Sequence, residues 1–341
     1  MSGEAPTTDT PTRPVPDSDF PRRPHPAQSA TDLLFHGTAR TIGAIVLVII
    51  GAIGFFLAIQ SVPTLRHYGW RFFTEHQWQP QQDVLGISAV LLGTVSVALV
   101  ALVIAFPLAL STALYISEYA PARIKASLVS LVDLMAAVPS IVYGLWGAYL
   151  IQPHALYVAH WLHQNLGFLP FFAVDTDPNA PVWAQTRYTA SAFMAGLAVA
   201  MMVLPMGCAV MREVFNQAPA GEREAALALG ATKWGMIRTV VLPFGRSGII
   251  GGTMLSLGRA LGETIAVALI ISPAFDVKIK ILEVGTITVS SLIANRFGEA
   301  SAGQLSALLT AGFVLFLITL LVNTIAAVIV NRSRSGAATE I

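Results

Sequence analysis

Six stretches of predominantly apolar residues alternate with more polar segments along this chain of 341 residues. Each stretch is about 20 residues or longer, which is the length an α-helix needs to cross the hydrocarbon core of a bilayer. The pattern therefore predicts an all-α membrane protein whose transmembrane domain occupies residues 37–332. The predicted spans are 40–62, 86–115, 127–151, 187–211, 246–272 and 303–330.

The composition supports this prediction. Hydrophobic residues make up 55% of the chain and charged residues 11%, whereas about 25% of the residues of a soluble domain are charged. The formal net charge is only +1, and nothing in the sequence indicates nucleic-acid binding. The single cysteine, Cys208, lies in an apolar run, so an intrachain disulfide is excluded.

The residues outside the predicted spans include two terminal tails. Residues 1–36 contain seven prolines among Thr, Asp, Ser and Arg, a mixture that cannot bury a core and predicts disorder. We expect this tail to remain attached, because no small-residue cleavage site follows the first apolar run. Residues 333–341 form a short second tail after the last span.

The basic residues predict the orientation in the membrane. An even number of spans places both termini on one side, and that side holds 13 of the 20 Lys and Arg residues, against six on the other. Cytoplasmic loops carry an excess of basic residues. We therefore predict a multi-pass protein of the cell membrane, in contact with lipid, with both termini in the cytoplasm.

Two charged residues, Arg259 and Glu263, interrupt the fifth span. An ionised side chain at a helix centre costs about 2.5–3.5 kcal/mol on insertion scales, so it usually faces a bundle interior or a solute path. Because the two residues are four positions apart, a continuous helix would let them form an ion pair. Arg259 offers a planar fork of donors that matches a tetrahedral oxyanion. The alternative interpretation is an ion pair that only fixes helix packing.

The surroundings of this pair supply further candidates for a substrate pathway. We expect Glu263 to restrain Arg259 while the path is empty, because conduction requires weak sites. Thr264 and Ser140 are further candidates, although hydroxyl groups in membrane helices usually bond to their own backbone. We predict no catalytic residue and no metal site, because no suitably placed Cys or carboxylate completes a cluster with the histidines of the second outer loop.

The segment 212–245, between the fourth and fifth spans, predicts more than a connector. Pro219 is suited to the start of a short helix with a smooth alanine-rich surface, and Gly230 allows the chain to turn sharply after it. A second helical stretch is expected from Thr232. Such a projecting helix is suited to docking in a cleft of another subunit. An amphipathic helix that lies on the membrane surface is the alternative.

The spacing of this segment resembles the EAA loop of ABC importer permeases. Glu224, Ala225 and Ala226 are followed at the family spacing by Gly230 and then by a Leu-Pro pair, with Val240 where isoleucine is usual. Over residues 40–332 the chain resembles the PstC family of phosphate-specific permeases. The segments that carry this closer resemblance are Val138–Gly147, Ala228–Trp234 and Gly258–Val267.

The resemblance implies a six-span type I ABC importer permease of the bacterial cytoplasmic membrane that forms half of a phosphate pathway. It implies a second, PstA-like permease, two PstB-like ATPase subunits and an extracytoplasmic PstS-like phosphate-binding protein as partners. The EAA loop, with Glu224, Ala225, Ala226 and Gly230, would dock on the ATPase. None of the four lysines follows a glycine, so the chain lacks an ATP-binding Walker A loop. ATP and Mg²⁺ would bind to the partner ATPase, and the chain is not expected to be an enzyme.

Two other functions remain open at this stage. The chemistry of the charged pair also suits another oxyanion, such as sulfate or molybdate. A proton-coupled secondary transporter, in which Glu263 relays protons, is a further alternative because carboxylates within membranes commonly serve that purpose.

Overall fold

The computed structural model describes residues 30–175 and 188–334. Three predicted features lie outside these ranges: residues 1–29 of the N-terminal tail, the start of the fourth span at 187, and residues 335–341 of the C-terminal tail. The described chain is mostly helical. Its helices are α1 (Ala30–Tyr68), α2 (Arg71–Thr74), α3 (Ser88–Leu114), α4 (Ala122–Ala137), α5 (Ser140–Trp146), α6 (Gln152–Leu166), α7 (Ala192–Asn216), α8 (Ala220–Ala228), α9 (Lys233–Met236), α10 (Leu242–Phe244), α11 (Arg246–Gly262), α12 (Ile265–Ile270), α13 (Val289–Arg296) and α14 (Ala302–Arg334).

Short irregular elements join several of these helices. π-Helical turns of Tyr115–Tyr119, Gly147–Ile151 and Ile237–Val241 continue α3, α5 and α9. Strands β1 (Trp78–Gln79) and β2 (Val84–Leu85) form an antiparallel hairpin in which Trp78 pairs with Leu85. The 3₁₀ turns are Pro80–Gln82, within this hairpin, and Phe297–Glu299, after α13.

Helix α1 begins earlier than the sequence predicted. Residues 30–36 are helical, so the prediction of disorder up to residue 36 is wrong for this part. The physical reason is that Leu33, Leu34 and Phe35 are apolar and that no proline follows Pro26 before the span, so nothing interrupts the helix. The chain divides into two units at Ile53 and Gly54, a boundary within α1. Every described side chain from 33 to 53 in the first unit is exposed.

Length and apolarity identify four helices of the described chain that can cross a membrane by themselves. Two bent helix pairs raise the number to six if each pair is counted as one span. The long helices α3 and α14 closely match the predicted spans 86–115 and 303–330, and α7 continues beyond its predicted end at 211 to Asn216. Residues 212–216, which the sequence assigned to the loop, are therefore part of this membrane helix.

The third predicted span, 127–151, is not a continuous helix. Helix α4 ends at Ala137, and the chain bends by 90° before the helical stretch that begins at Ser140. Pro139 lacks an amide donor and biases the preceding residue towards extended backbone, which is the conformation of Val138. Tyr143 bridges the break, because its hydroxyl donates a hydrogen bond to the carbonyl of Met135 at 2.7 Å.

The fifth predicted span, 246–272, is also interrupted. Helix α11 ends at Gly262, Glu263 is extended with φ −67° and ψ 130°, and α12 begins at Ile265. A bend of 68° also separates α11 from the preceding helical stretch Lys233–Phe244. The apolar run hides the break at Glu263, because hydropathy does not report backbone conformation.

Close packing between small residues holds the long helices together. α3 and α7 form the most extensive helix pair of the described chain. α3 buries alanines at positions 98, 101, 105, 109 and 113, spaced by three or four residues. α11 packs on α7 so closely that a Cβ at Gly207 would lie 2.7 Å from Ser256 Oγ. Small side chains permit this approach of helix backbones in membranes.

Candidate functional site

Three of the four predicted pathway residues, Arg259, Glu263 and Thr264, lie at or next to the break between α11 and α12. Arg259 is in the last turn of α11 and exposed, whereas Glu263 is only 8% exposed. The prediction of an ion pair between Arg259 and Glu263 is wrong, because within the described residues the two side chains form no ion pair and the Arg259 side chain makes no hydrogen bond. The extended backbone at Glu263 takes its side chain off the helix face that carries Arg259.

Glu263 instead shapes the break. Its Oε1 atom accepts a hydrogen bond from the backbone N–H of Ala266 at 3.2 Å. Ala266 is fully buried, so this contact satisfies one of the donors that the start of a helix leaves without an intrahelical partner. Thr264 also acts locally, because its hydroxyl donates to the carbonyl of Gly262 at 3.2 Å.

The structure brings the two helix breaks together. A Cβ at Gly144 of α5 would lie 2.7 Å from Cα of Ala266, and a Cβ at Gly147 would lie 2.6 Å from the side chain of Ile270. The earlier residue of the first segment contacts the earlier residue of the second, and the later residue contacts the later one. α5 and α12 therefore run in the same direction. Their starting residues, Ser140 and Ile265, therefore lie towards the same end of the packed pair.

Ser140 follows the first break directly and is half-buried. It lies on α5, which packs against α12, and the predicted pathway residues thus fall on two neighbouring interrupted helices. Transporters commonly place their substrate sites at interrupted membrane helices, because backbone that is not helical is tolerated at that depth only where protein or a water-lined cavity surrounds it. Tyr143 was not among the predicted pathway residues, although Pro139, four positions before it, lies at the first break.

The predicted docking residues lie on α8 and the turn after it. Glu224 and Ala225 are exposed, while Ala226 is half-buried and packs against the cluster around Phe215. As predicted, a short helix follows Pro219 and a second begins after Thr232, whose side chain accepts a hydrogen bond from the Gly235 amide at 3.1 Å.

The spacing from Ala226 to Gly230 has a backbone explanation. Gly230 has φ +86°, in the left-handed region that favours glycine. The amide of Ala231 donates to the carbonyl of Ala226 at 3.1 Å, and the amide of Gly230 donates to that of Leu227 at 2.9 Å. These two bonds form a Schellman motif that ends α8.

The tip of this loop is apolar and exposed. Leu229 is 90% exposed, and Leu227 and Trp234 are also largely uncovered. Large exposed apolar side chains next to one another indicate a surface that contacts another molecule. α8 is thus a short helix with a well-defined C-terminal end, and it presents a small apolar surface.

Comparison with known proteins identifies the family. Residues 105–335 match the profile of the family described as "Binding-protein-dependent transport system inner membrane component". The chain is 38% identical over 307 residues to the phosphate transport system permease protein PstC 2 of Mycobacterium tuberculosis, which covers 89% of this chain and 93% of that protein. It is 36% identical over 304 residues to PstC of Pasteurella multocida, covering 88% of this chain and 92% of that protein.

Solved structures show the same fold at low sequence identity. A chain of a bacterial alginate ABC transporter, in complex with a periplasmic protein that holds an alginate pentasaccharide, superposes with a TM-score of 0.56 at 14% identity. The match covers 91% of this chain and 97% of that one. A chain of the inward-facing MetNI methionine ABC transporter gives a TM-score of 0.51 at 15% identity, covering 75% and 99%.

These findings confirm the predicted fold class, which is that of an all-α type I ABC importer permease. The predicted number of six spans is compatible with the structure if each bent helix pair is counted as one span. The members of this family are multi-pass membrane proteins that act as transport permeases. The chain therefore belongs to the binding-protein-dependent inner-membrane permeases of ABC transporters, among the PstC proteins.

Proposed function

We propose that this chain is the permease subunit of an ATP-driven importer of inorganic phosphate and forms half of the transmembrane pathway. Similarity along nearly the whole length to phosphate transport system permease proteins carries this proposal. The chain itself moves the solute and hydrolyses nothing. ATP and Mg²⁺ bind to a separate ATPase.

Arg259 is the residue proposed to contact phosphate in transit. Its guanidinium is exposed and unpaired within residues 30–175 and 188–334. It lies one turn before an interrupted helix, and its fork of donors fits two oxygens of a tetrahedral anion. Because no carboxylate neutralises it, the anion itself is its counter-ion during passage.

The other pathway residues have distinct proposed roles. Glu263 holds the break open through its contact with the Ala266 amide, and so positions the last turn of α11. The Ser140 hydroxyl, half-buried on the neighbouring interrupted helix, adds a neutral donor to the path. The Thr264 hydroxyl already donates to the carbonyl of Gly262, so it contributes only as an acceptor.

The loop around α8 is proposed to dock on the ATPase. Glu224 and Ala225 present a small exposed helix surface, and Leu229 and Trp234 extend it with apolar area. Gly230 ends the helix sharply and keeps this surface compact. The loop is then cytoplasmic, which agrees with the excess of basic residues predicted on that side and places both termini there.

The proposed assembly contains a second, PstA-like permease, two PstB-like ATPase subunits and a PstS-like phosphate-binding protein on the outer side. The exposed apolar surface of residues 33–53 is suited to contact with membrane lipid or with the second permease. An assembly of this kind is typical of binding-protein-dependent ABC transport.

Reconstitution tests the proposal. The chain is purified with these partners, placed in proteoliposomes and assayed for uptake of radiolabelled phosphate with and without enclosed ATP. We expect uptake that requires ATP, the ATPase and the binding protein, that a protonophore does not reduce and that excess sulfate or molybdate does not compete. Competition by sulfate or molybdate would make this a permease for another oxyanion. Uptake without the ATPase that a protonophore abolishes would make it a secondary transporter.

A further inference from the structure

We propose that Arg223 and Glu118 form the mechanical connection that transmits movement of α8 to the membrane helices. The pair is called the loop anchor below. Its role as a transmission element rests on the proposed docking of α8 to an ATPase. The anchor is distinct from the exposed docking surface, because it lies on the side of α8 that faces the bundle.

The geometry of the anchor is that of a buried ion pair. Nη1 of Arg223 lies 3.2 Å from Oε1 of Glu118 and donates a hydrogen bond to Oε2 at 3.5 Å. The Glu118 side chain is 4% exposed and that of Arg223 is 21% exposed. Nη2 of Arg223 also donates to the carbonyl of Phe215, near the end of α7. One guanidinium thus connects α8 with the extension of α3 and with α7.

A second contact fixes the other side of the loop. Nζ of Lys233, at the start of α9, lies 4.8 Å from the ring centroid of Tyr119, within the range of a cation–π interaction. Glu118 and Tyr119 are neighbours in the π-helical turn that continues α3. The loop is therefore held before and after its Gly230 turn by adjacent residues of one turn.

This turn is itself braced against α7. Lys125 donates to the carbonyl of Ser117 at 3.2 Å and to Oδ1 of Asn216 at 3.4 Å. The turn continues α3 without a break, and α3 packs along α7. A displacement of Arg223 therefore acts on the helix pair at the centre of the bundle.

The connection continues to the pathway. α11 packs against α7 at two close approaches, because a Cβ at Gly248 would lie 2.5 Å from Val214 and one at Gly207 would lie 2.7 Å from Ser256. Arg259 lies on the same helix, one turn beyond Ser256. Tightly packed helices move as units, since they cannot deform continuously. The anchor, α7 and α11 thus form a continuous set of contacts from α8 to Arg259.

The anchor is incompletely engaged in this structure. Within the described residues, buried Nε of Arg223 makes no hydrogen bond, and buried Oε1 of Glu118 has only its ion-pair contact with Nη1. Buried polar atoms are nearly always paired, and arginine and carboxylate readily form a bidentate fork. In this structure Nη1 alone contacts both carboxylate oxygens, so the pair is not in the bidentate arrangement that these two side chains can form.

The test compares coupling in reconstituted four-component complexes. The variants are Arg223→Ala, Glu118→Gln and Arg223→Lys, which keeps the charge but not the fork. Arg238→Ala is the matched control, because Arg238 lies in the same loop and is exposed, and its side chain makes no hydrogen bond or ion pair within the described chain. Co-purification measures assembly, and ATP hydrolysis and phosphate uptake are measured on the same vesicles.

We expect all four variants to assemble and hydrolyse ATP. Phosphate taken up per ATP should fall at least about tenfold in Arg223→Ala and Glu118→Gln, because each leaves a buried partner alone. Arg223→Lys should fall between these and the wild type, and Arg238→Ala should match the wild type. An unchanged ratio in assembled Arg223→Ala would overturn the proposal.

If the single variants fail to assemble, a double variant can still test the role of the anchor. The double variant Glu118→Leu/Arg223→Met replaces the pair with apolar side chains of similar size, which usually preserves folding. Hydrolysis without matching uptake in this variant supports the anchor, and wild-type coupling overturns it. A wild-type complex that takes up no phosphate under any condition would instead contradict the proposed function.

Discussion

Oε1 of Glu263 accepts a hydrogen bond from the backbone amide of Ala266 at 3.2 Å, across the break between α11 and α12. The carboxylate is buried, and the amide it contacts is fully buried. This contact replaces the expected pairing of Glu263 with Arg259 and leaves the guanidinium exposed. Glu263, which the sequence suggested as the counter-ion of Arg259, therefore has a structural role at the break between α11 and α12.

Glu263→Ala should destabilise the protein more than Glu263→Gln. Glutamine retains an oxygen that can accept from the Ala266 amide, whereas alanine leaves this buried donor unpaired, at a cost of about 1–3 kcal/mol. Unfolding of the purified subunit in mixed detergent micelles measures the difference. Glu299→Ala, which removes an exposed carboxylate, is the control and should be close to neutral. Equal stability of the two Glu263 variants would show that the hydrogen bond is unimportant.

Arg259→Gln should strongly reduce phosphate uptake by an assembled complex. Loss of the charge and of the donor fork should lower uptake by at least about tenfold, and Arg259→Lys should retain an intermediate rate because it keeps only the charge. Uptake by proteoliposomes, normalised to the assembled complex, is the measurement. Arg66→Gln, at an exposed position near the end of α1, should transport normally. Normal transport by Arg259→Gln would remove Arg259 from the pathway.

Gly144→Ala should disturb the contact between α5 and α12. The added Cβ would lie 2.7 Å from Cα of Ala266, which is closer than carbon atoms approach, so the helices must separate. Overpacking of this kind costs about 1–3 kcal/mol. Gly251→Ala is the matched control in α11, because a Cβ there meets nothing within 4 Å. The control should be neutral or slightly stabilising, and thermal unfolding of the purified subunit distinguishes the two.

Asp83 should make part of the stability dependent on pH. Hydrogen bonds from the Tyr68 hydroxyl and from His67, at 2.6 and 2.8 Å, hold the pKa of the Asp83 carboxyl below its ordinary value. A lowered folded-state pKa gives stability that is present above the unfolded value of about 3.9 and lost as the pH falls through the folded value.

Asp83→Asn is the comparison for this effect, because asparagine tolerates the positive φ of 55° at this position but carries no charge. The wild type should unfold at a slightly higher temperature than Asp83→Asn at pH 6. The difference should begin to shrink near pH 4 and should disappear only below the lowered pKa of folded Asp83. The effect should be small, since Asp83 is largely exposed. A difference that grows on acidification would contradict the assignment.

The sequence was sufficient where a single physical property decides the structure. Uninterrupted apolar runs located α3 and α14, because a helix is the only way for one segment to satisfy its own backbone in lipid. The helix after Pro219 and its end at Gly230 were also predicted, since both signals are local. The family spacing and the lack of a Walker A loop required no tertiary information.

Only the tertiary structure showed the direction of the chain within the apolar runs. The breaks at Pro139 and Glu263 both lie inside predominantly apolar segments, and hydropathy is the same whether a helix continues or bends. Proline indicated a disturbance at the first break but not the 90° turn. The second break depends on a side chain that reaches the Ala266 amide, a contact that spacing alone does not predict.

The sequence by itself determined the class of the protein, the position of its membrane segments and the presence of an arginine within one of them. These features follow from composition and local spacing. The tertiary structure decided which groups meet: Glu263 with Ala266 and not with Arg259, and Arg223 with Glu118, more than 100 residues apart. Such pairings depend on how whole helices pack, and the energy of packing is spread over many small contacts that no short motif records.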